Sequence, residues 1–181
     1  MGKREYEILQ KAKMCGIKIP DCKLFNGEYL GTRRFDLALD GTRLHVATAA
    51  ALLGESIRLP MMDYRKLIRF TAHLTKDMSQ AQEMYRRMIF NYEIGNNDDH
   101  AKNFSFICDG SKWNIAPAYD ITECRNANNG IHASVVNGHE RPDIDDFLAV
   151  ASDAGLTKNQ ASGIIARIRE VLDATNIERG G

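Results

Sequence analysis

A long helical pattern breaks at Gly95-Asn96-Asn97-Asp98-Asp99, and two short strand-like runs follow. This succession constrains the fold more than any other part of the chain. Upstream, Ser79 is placed to cap a helix running to about Ile94, with Ala81, Met84, Met88, Ile89 and Tyr92 facing inward. Tyr85, Met88, Ile89 and Tyr92 read as core rather than as a cofactor-binding stripe. A glycine followed by Asn and Asp does not continue such a helix. Downstream, Phe104-Ser-Phe-Ile and Trp113-Asn-Ile-Ala alternate as strands do, joined by Asp109-Gly110-Ser111 and ended by Pro117. Helix, polar loop and apolar hairpin, in that order, bring the end of the hairpin back to face the loop.

The remaining segments are mostly helical. Tyr6, Ile8, Leu9, Ala12 and Cys15 make a stripe over about Glu5 to Cys15, with Gly16 beyond the C-cap and Pro20 preventing resumption. Asn26-Gly27 lies between Cys22-Lys-Leu-Phe and Tyr29-Leu-Gly-Thr-Arg-Arg-Phe, a strong hairpin signal. Val46 to Leu53 reads as a buried helix ended by Gly54. Asp63 is placed to cap a helix to about Leu74 with Leu67, Ile68, Phe70, Thr71 and Leu74 as its stripe. Residues 126–138, rich in Asn and Gly, read as a loop. Asp143 and Thr157 cap two terminal helices, about 143–154 and 157–174, the last amphipathic through Ala161, Ile164, Ile165, Ile168, Val171 and Leu172. The expected fold class is mainly α with small β hairpins (α+β), a single domain over 1–181.

Composition sets outer bounds. The 181 residues are 44% hydrophobic and 27% charged, and a domain of this length buries roughly 70% of its unfolded surface. Lys+Arg and Asp+Glu both number 24, so no general attraction to nucleic acid or membrane is expected. Apolar runs fall short of a membrane span, and Met1-Gly2-Lys3-Arg4-Glu5 lacks the apolar core of a signal peptide. Cys15, Cys22, Cys108 and Cys124 form no C-x-x-C pair and read as reduced thiols of a cytoplasmic protein.

The polar loop carries the chemistry. Asp98 and Asn103 stand five apart, and Asp120 follows the hairpin. Phosphoryl transfer needs a positioned nucleotide, Mg²⁺ on its phosphates and a carboxylate for the acceptor hydroxyl. Mg²⁺ takes oxygen ligands. The Asp98–Asn103 spacing is that of a protein-kinase catalytic loop, and Asp120 fits the metal-binding Asp beyond a strand pair. Asp and Asn also populate loops as turn and cap residues, so spacing alone balances the two readings. Asp99, His100 and Lys102 crowd the same loop. Chemistry alone does not choose between Asp98 and Asp99, and the spacing to Asn103 favours Asp98. A metal-dependent phosphohydrolase built on Asp98, Asp99, His100 and Asp120 is less favoured, because the five histidines include no paired motif.

Asn97-Asp-Asp-His-Ala-Lys-Asn-Phe-Ser105 and Ala116-Pro-Ala-Tyr-Asp-Ile-Thr122 resemble the HipA-type serine/threonine kinases, toxins of bacterial toxin–antitoxin systems. So do Arg33-Arg34-Phe35-Asp36 with Arg43-Leu44-His45, and the helix ending Gly16-Ile-Lys-Ile-Pro20. The resemblance runs over about residues 4 to 175. It implies a protein-kinase-like C-lobe, with a hinge-side helix and hairpin at about 5–36 and a helical lobe at about 45–175. It implies ATP and Mg²⁺ as cofactors, Asp98 as catalytic base, and Asn103 and Asp120 as Mg²⁺ ligands. His100, Lys102 and Tyr119 would lie against the nucleotide. Arg33, Arg34 and Phe35 would form the hinge at adenine, with Asp36 near the ribose. The family hinge usually reads Glu-Arg-Phe-Asp, and Arg33 departs from it. His45 and His132 read as ordinary polar residues.

In the family a phosphate-covering loop and a strand Lys precede the first helix, where this sequence begins. The expectation is therefore a C-lobe with the N-lobe largely absent, inactive alone. Its partners would be an antitoxin, a polypeptide supplying the N-lobe, and a protein substrate that the resemblance suggests is an aminoacyl-tRNA synthetase. The alternative is a non-catalytic kinase remnant that binds an antitoxin or other partner.

Overall fold

The computed structural model describes residues 2–54 and 62–175. Helix α1 (Gly2–Met14) lies against a hairpin of β1 (Cys22–Phe25) and β2 (Tyr29–Thr32). Asn26 and Gly27 at its turn both have positive φ, as the Asn-Gly pair predicts. Strand β2 stops at Thr32, short of the run expected to Phe35. Arg33 N–H then bonds Asp21 O at 2.7 Å, turning the chain toward residues 34–36.

Residues 46–53 divide between two elements instead of forming one helix. Strand β3 (His45–Thr48) pairs antiparallel with β5 (Ser105–Cys108), and only Ala49–Leu53 is helical, as α2. Thr48 ends the strand and caps the helix, its side chain accepting from Ala51 N–H. An apolar run this short fits either period, and the pairing edge offered by β5 decides it. Strand β6 (Trp113–Ile115) completes a sheet of order β3-β5-β6. The expected hairpin thus has a third strand beside it.

The helical lobe is built on α3 (Tyr64–Thr75) and α4 (Met78–Ile94). Asp63 caps α3 as expected. The cap of α4 is Asp77 rather than Ser79: its carboxylate accepts the Ser79 N–H at 3.0 Å and the Ser79 hydroxyl at 2.7 Å. A carboxylate also complements the positive end of the helix dipole. The inward face of α4 includes Ala81, Met84, Met88 and Ile89 as expected, while Tyr92 is half-buried. Tyr85, Phe90 and Ile94 are buried as well, as are Arg87, Asn91 and Glu93. Helix α4 is therefore enclosed nearly all round, its charges met by partners. Arg87 pairs with Glu83 and donates to Ala116 O at 2.9 Å, and Glu93 accepts from Arg169 at 2.7 Å.

Helices α5 (Ile144–Ala151) and α6 (Lys158–Ala174) both begin with capping boxes, Asp143 with Asp146 and Thr157 with Gln160. The 126–138 stretch is mostly loop, but Ser134–Val135 forms β7, which pairs parallel with β4 (Met62–Asp63). This short pair ties the loop to the start of α3. The buried apolar side chains form one cluster shared by α1, α3, α4, α5, α6 and the β5-β6 strands.

Asp146 makes the fold acid-sensitive. Burial tends to raise its pKa, but hydrogen bonds from Asn137, the Asp143 N–H and His139 outweigh burial and hold it below the usual range. A carboxylate depressed in the folded state contributes stability above its unfolded pKa, ~3.9, and loses it as pH falls through the folded value. Asp77 shifts the same way, through the Ser79 hydroxyl first. The thermal midpoint should fall as pH drops below about 4. Asp146→Asn should lower the midpoint at pH 7 and flatten the acid limb, as followed by circular dichroism. An acid limb as steep as the wild type's would contradict this.

Candidate functional site

The polar loop begins where α4 ends. Gly95, at φ +69°, closes the helix in a left-handed conformation. A Cβ there would lie 2.7 Å from Arg125 Cγ, so only glycine fits without displacing that side chain. The loop then runs to a short 3₁₀ turn over Ala101–Asn103 and enters β5.

Burial separates the two adjacent aspartates that the sequence leaves side by side. The Asp99 side chain is fully enclosed, whereas that of Asp98 is 50% exposed. Asp99 Oδ2 accepts the Tyr64 hydroxyl at 2.8 Å and lies 3.1 Å from His132 Nδ1, while Oδ1 accepts the Ser134 N–H at 3.1 Å. Ser134 Oγ donates back to Asp99 O at 2.6 Å. Burial first, then the nearby Asp99 charge, raises the Tyr64 phenol well above its usual pKa, so it serves as donor. The network continues from Asn91 to the Tyr64 hydroxyl, from Asn96 to Asn91, and from the Cys124 thiol to Asn96. Asp99 thus anchors the loop. Asp98 has one close ionisable neighbour among the described residues, His100 Nε2 at 3.7 Å.

Asn103 Nδ2 donates to Asp98 O at 2.9 Å, which fixes the amide and leaves its Oδ1 as the acceptor end. Asn103, Tyr119 and Asp120 line one small cavity together with Asp99. Asp120 is exposed and has no hydrogen bond or ion pair among the described residues. Its φ is +55°, a left-handed conformation unusual for a side-chain-bearing residue. The Tyr119 hydroxyl donates to Lys102 O at 2.7 Å and lies 2.6 Å from Ser105 Oγ, tying the residue before Asp120 to the loop.

On its other side Tyr119 meets the 33–36 segment. Its ring centroid is 5.2 Å from that of Phe35. Arg33, Arg34, Phe35, Asp36, Tyr119 and Asp120 line a cleft of about 310 Å³ with Leu9 and Leu30, within the size range of small-molecule sites. Arg34 Nε donates to Asp36 Oδ1 at 2.9 Å, and Arg33 lies 3.8 Å from Asp21. Asp36 is therefore engaged by a cation of its own segment. Lys102 is exposed, and its carbonyl accepts the Tyr119 hydroxyl.

The residues named from the sequence thus divide into two joined groups. Asp98, His100 and Asn103 sit on the loop, and Arg33, Arg34, Phe35 and Asp36 on the cleft, with Tyr119 and Asp120 bordering both. The donors suit a hard cation: an amide oxygen and an unpartnered carboxylate beside an apolar-floored cleft. Among the described residues no three His, Cys, Asp or Glu side chains converge on a point. Tyr64, Asn91, Asn96, Ser134 and His132, which hold Asp99, carry no signal in the sequence. They come from four segments that only the fold brings together.

The fold defines the class: a mixed α/β lobe similar in fold to HipA and to the kinase CtkA. The chain belongs to the HipA-like C-terminal domain family, whose model matches residues 1–175. A putative kinase of Haemophilus influenzae is 30% identical over 119 residues, 54% of this chain and 35% of that protein. Putative kinase Y4dM of Sinorhizobium fredii is 28% identical over 135 residues, 65% of this chain and 32% of that protein. The matches therefore span about a third of these curated relatives. Among solved structures, Shewanella oneidensis HipA, determined with HipB and operator DNA, superposes with TM-score 0.76 at 21% identity, over 94% of this chain and 47% of that one. The proinflammatory kinase CtkA of Helicobacter pylori gives TM-score 0.60 at 13% identity, over 96% of this chain and 84% of that one. No helix among the described residues is long and apolar enough to cross a membrane.

Proposed function

We propose that the chain is the catalytic lobe of a HipA-like protein serine/threonine kinase that works on Mg·ATP in the cytoplasm. The observation that carries this reading is the separation of Asp98 from Asp99. One carboxylate is locked into the fold, and its neighbour is held half-exposed beside Asn103. Asp98 is the base that takes the proton of the acceptor hydroxyl. Asn103 Oδ1 and the Asp120 carboxylate would hold Mg²⁺. When bound, Mg·ATP supplies the phosphoryl group and a cation that spreads its charge. The 33–36 segment and the Phe35–Tyr119 pair would receive the base and sugar, and His100 and Lys102 would supply cationic or hydrogen-bonding groups to the phosphates. Arg34 must release Asp36, or share it, for Asp36 to reach a ribose.

Calorimetry with Mg·ATP tests this reading. The chain should bind weakly alone, at roughly −4 to −5 kcal/mol, a millimolar to sub-millimolar Kd. Phosphotransfer should appear when the N-terminal half of a HipA-like relative is supplied in trans. Absence of binding even then would overturn the reading. A second reading, a non-catalytic module that engages an antitoxin, draws support from the Shewanella HipA structure, determined with HipB. If the biological effect survives Asp98→Ala, that reading gains. The resemblance makes an aminoacyl-tRNA synthetase the first acceptor to assay.

A further inference from the structure

We infer that His132 is a positioning residue for the Asp98 loop, acting through Asp99. What the loop does rests on the kinase reading above; how His132 holds it rests on geometry alone. The His132 ring stacks on Tyr92, with centroids 3.7 Å apart and planes 13° from parallel. Its Nδ1 lies 3.1 Å from Asp99 Oδ2, and its side chain is 12% exposed. A carboxylate only accepts, so Nδ1 carries the hydrogen and donates it. Phenylalanine would satisfy the stack and not the bond. Asparagine would satisfy the bond and not the stack. Histidine alone of these meets both demands, which makes its placement specific.

Three donors from two segments converge on the Asp99 carboxylate. Tyr64 comes from the first turn of α3, and His132 and Ser134 from the stretch that follows Asp120. That stretch is bonded to the loop backbone too: Ala133 N–H and Asn128 Nδ2 both donate to Asn97 O, at 3.0 and 2.6 Å. Asp98 sits between Asn97 and Asp99, the two residues so held. Its carboxylate is directed by backbone clamped on both sides. His132 differs from the other holders because it also faces the open cleft of about 730 Å³ that Asn97 and Arg125 border. Replacing it therefore disturbs the clamp without excavating the core.

The test compares His132→Phe with His132→Asn in the 181-residue chain. In His132→Phe, amide hydrogen exchange across residues 97–103 should quicken about tenfold, while exchange in α6 stays unchanged. Phosphotransfer, assayed with the N-terminal half of a relative supplied, should lose kcat by roughly ten- to a hundredfold with the ATP KM within about twofold. His132→Asn should recover part of the protection and part of kcat. Loop exchange equal to wild type in His132→Phe overturns the positioning role, whatever the assay shows. So does a parallel loss of ATP affinity and α6 protection, which would mark general destabilisation. Absence of phosphotransfer in the wild type strikes the kinase reading instead, and the exchange comparison still decides the role of His132.

Discussion

Asp98→Ala is expected to leave the fold intact and abolish phosphotransfer, while Asp99→Ala, one residue away, is expected to destabilise the whole protein. Asp98 is half-exposed and its one close ionisable neighbour is His100, so its removal should change stability by no more than about 0.5 kcal/mol. Loss of a general base should cost roughly 10²- to 10⁴-fold in kcat. Asp99 is different because three donors end on its carboxylate: the Tyr64 hydroxyl, the Ser134 N–H and His132 Nδ1. Alanine leaves them buried and unpaired, at about 1–3 kcal/mol for each group that finds no water. A total of roughly 3–5 kcal/mol is a large share of the ~5–15 kcal/mol that holds a domain together. Asp99→Asn, which keeps an acceptor oxygen and the shape, should lie between. Urea unfolding of the three variants beside the wild type measures this directly. An Asp99→Ala protein as stable as wild type, or an Asp98→Ala enzyme with full kcat, would reverse the assignment of the two residues.

The contrast also shows where sequence reasoning reached its limit. Asp98 and Asp99 are identical in type and adjacent, so no local pattern distinguishes them beyond a spacing to Asn103. The distinction is made by Tyr64, His132 and Ser134, more than thirty positions away in either direction. Where information was local, the sequence was legible. The helices over 5–15, 64–74 and 80–94 follow from apolar stripes. The starts of α3, α5 and α6 follow from Asp63, Asp143 and Thr157. The strands on either side of Asp109-Gly110 follow from alternation and turn residues. Legibility failed where a choice depended on a distant partner. Residues 45–48 became a strand because Ser105–Cys108 offered an edge, and β4 with β7 is too short to show a period. Ser79 reads from the sequence as the cap of α4, but in the structure Asp77 is the cap and Ser79 donates to it. Arg34, expected at the hinge, and Asp36, expected near the ribose, bond each other. Tyr119 was named for a nucleotide, yet its hydroxyl is spent on Lys102 O and Ser105. That leaves only the ring face free to meet a ligand.

Asp120 should show the opposite pattern from Asp99, a residue whose removal is nearly silent in stability and severe in function. Its backbone is left-handed, at φ +55°, a region Asp tolerates better than most residues and Ala resists by about 1–2 kcal/mol. Its carboxylate makes no hydrogen bond or ion pair among the described residues, so nothing in the fold depends on it. Strain kept at an exposed, unpartnered residue is a common mark of a site under functional demand. Asp120→Gly relieves the strain and adds some freedom to the unfolded chain. Its stability should stay within about 1 kcal/mol of wild type, with Asp120→Ala about 1 kcal/mol lower. Both should lose Mg²⁺-dependent nucleotide binding and more than ~100-fold of phosphotransfer, because on the proposed kinase reading Mg²⁺ would be left with a neutral amide as its one protein oxygen. Asp120→Asn keeps an oxygen without its charge and should fall between. Calorimetry with and without Mg²⁺ separates the metal's contribution from that of the cleft, since the Phe35–Tyr119 ring contact proposed to meet the base is left in place. Magnesium-dependent binding that survives in Asp120→Gly would remove Asp120 from the metal pair. Binding lost equally with and without Mg²⁺ would place its role in shaping the cleft wall.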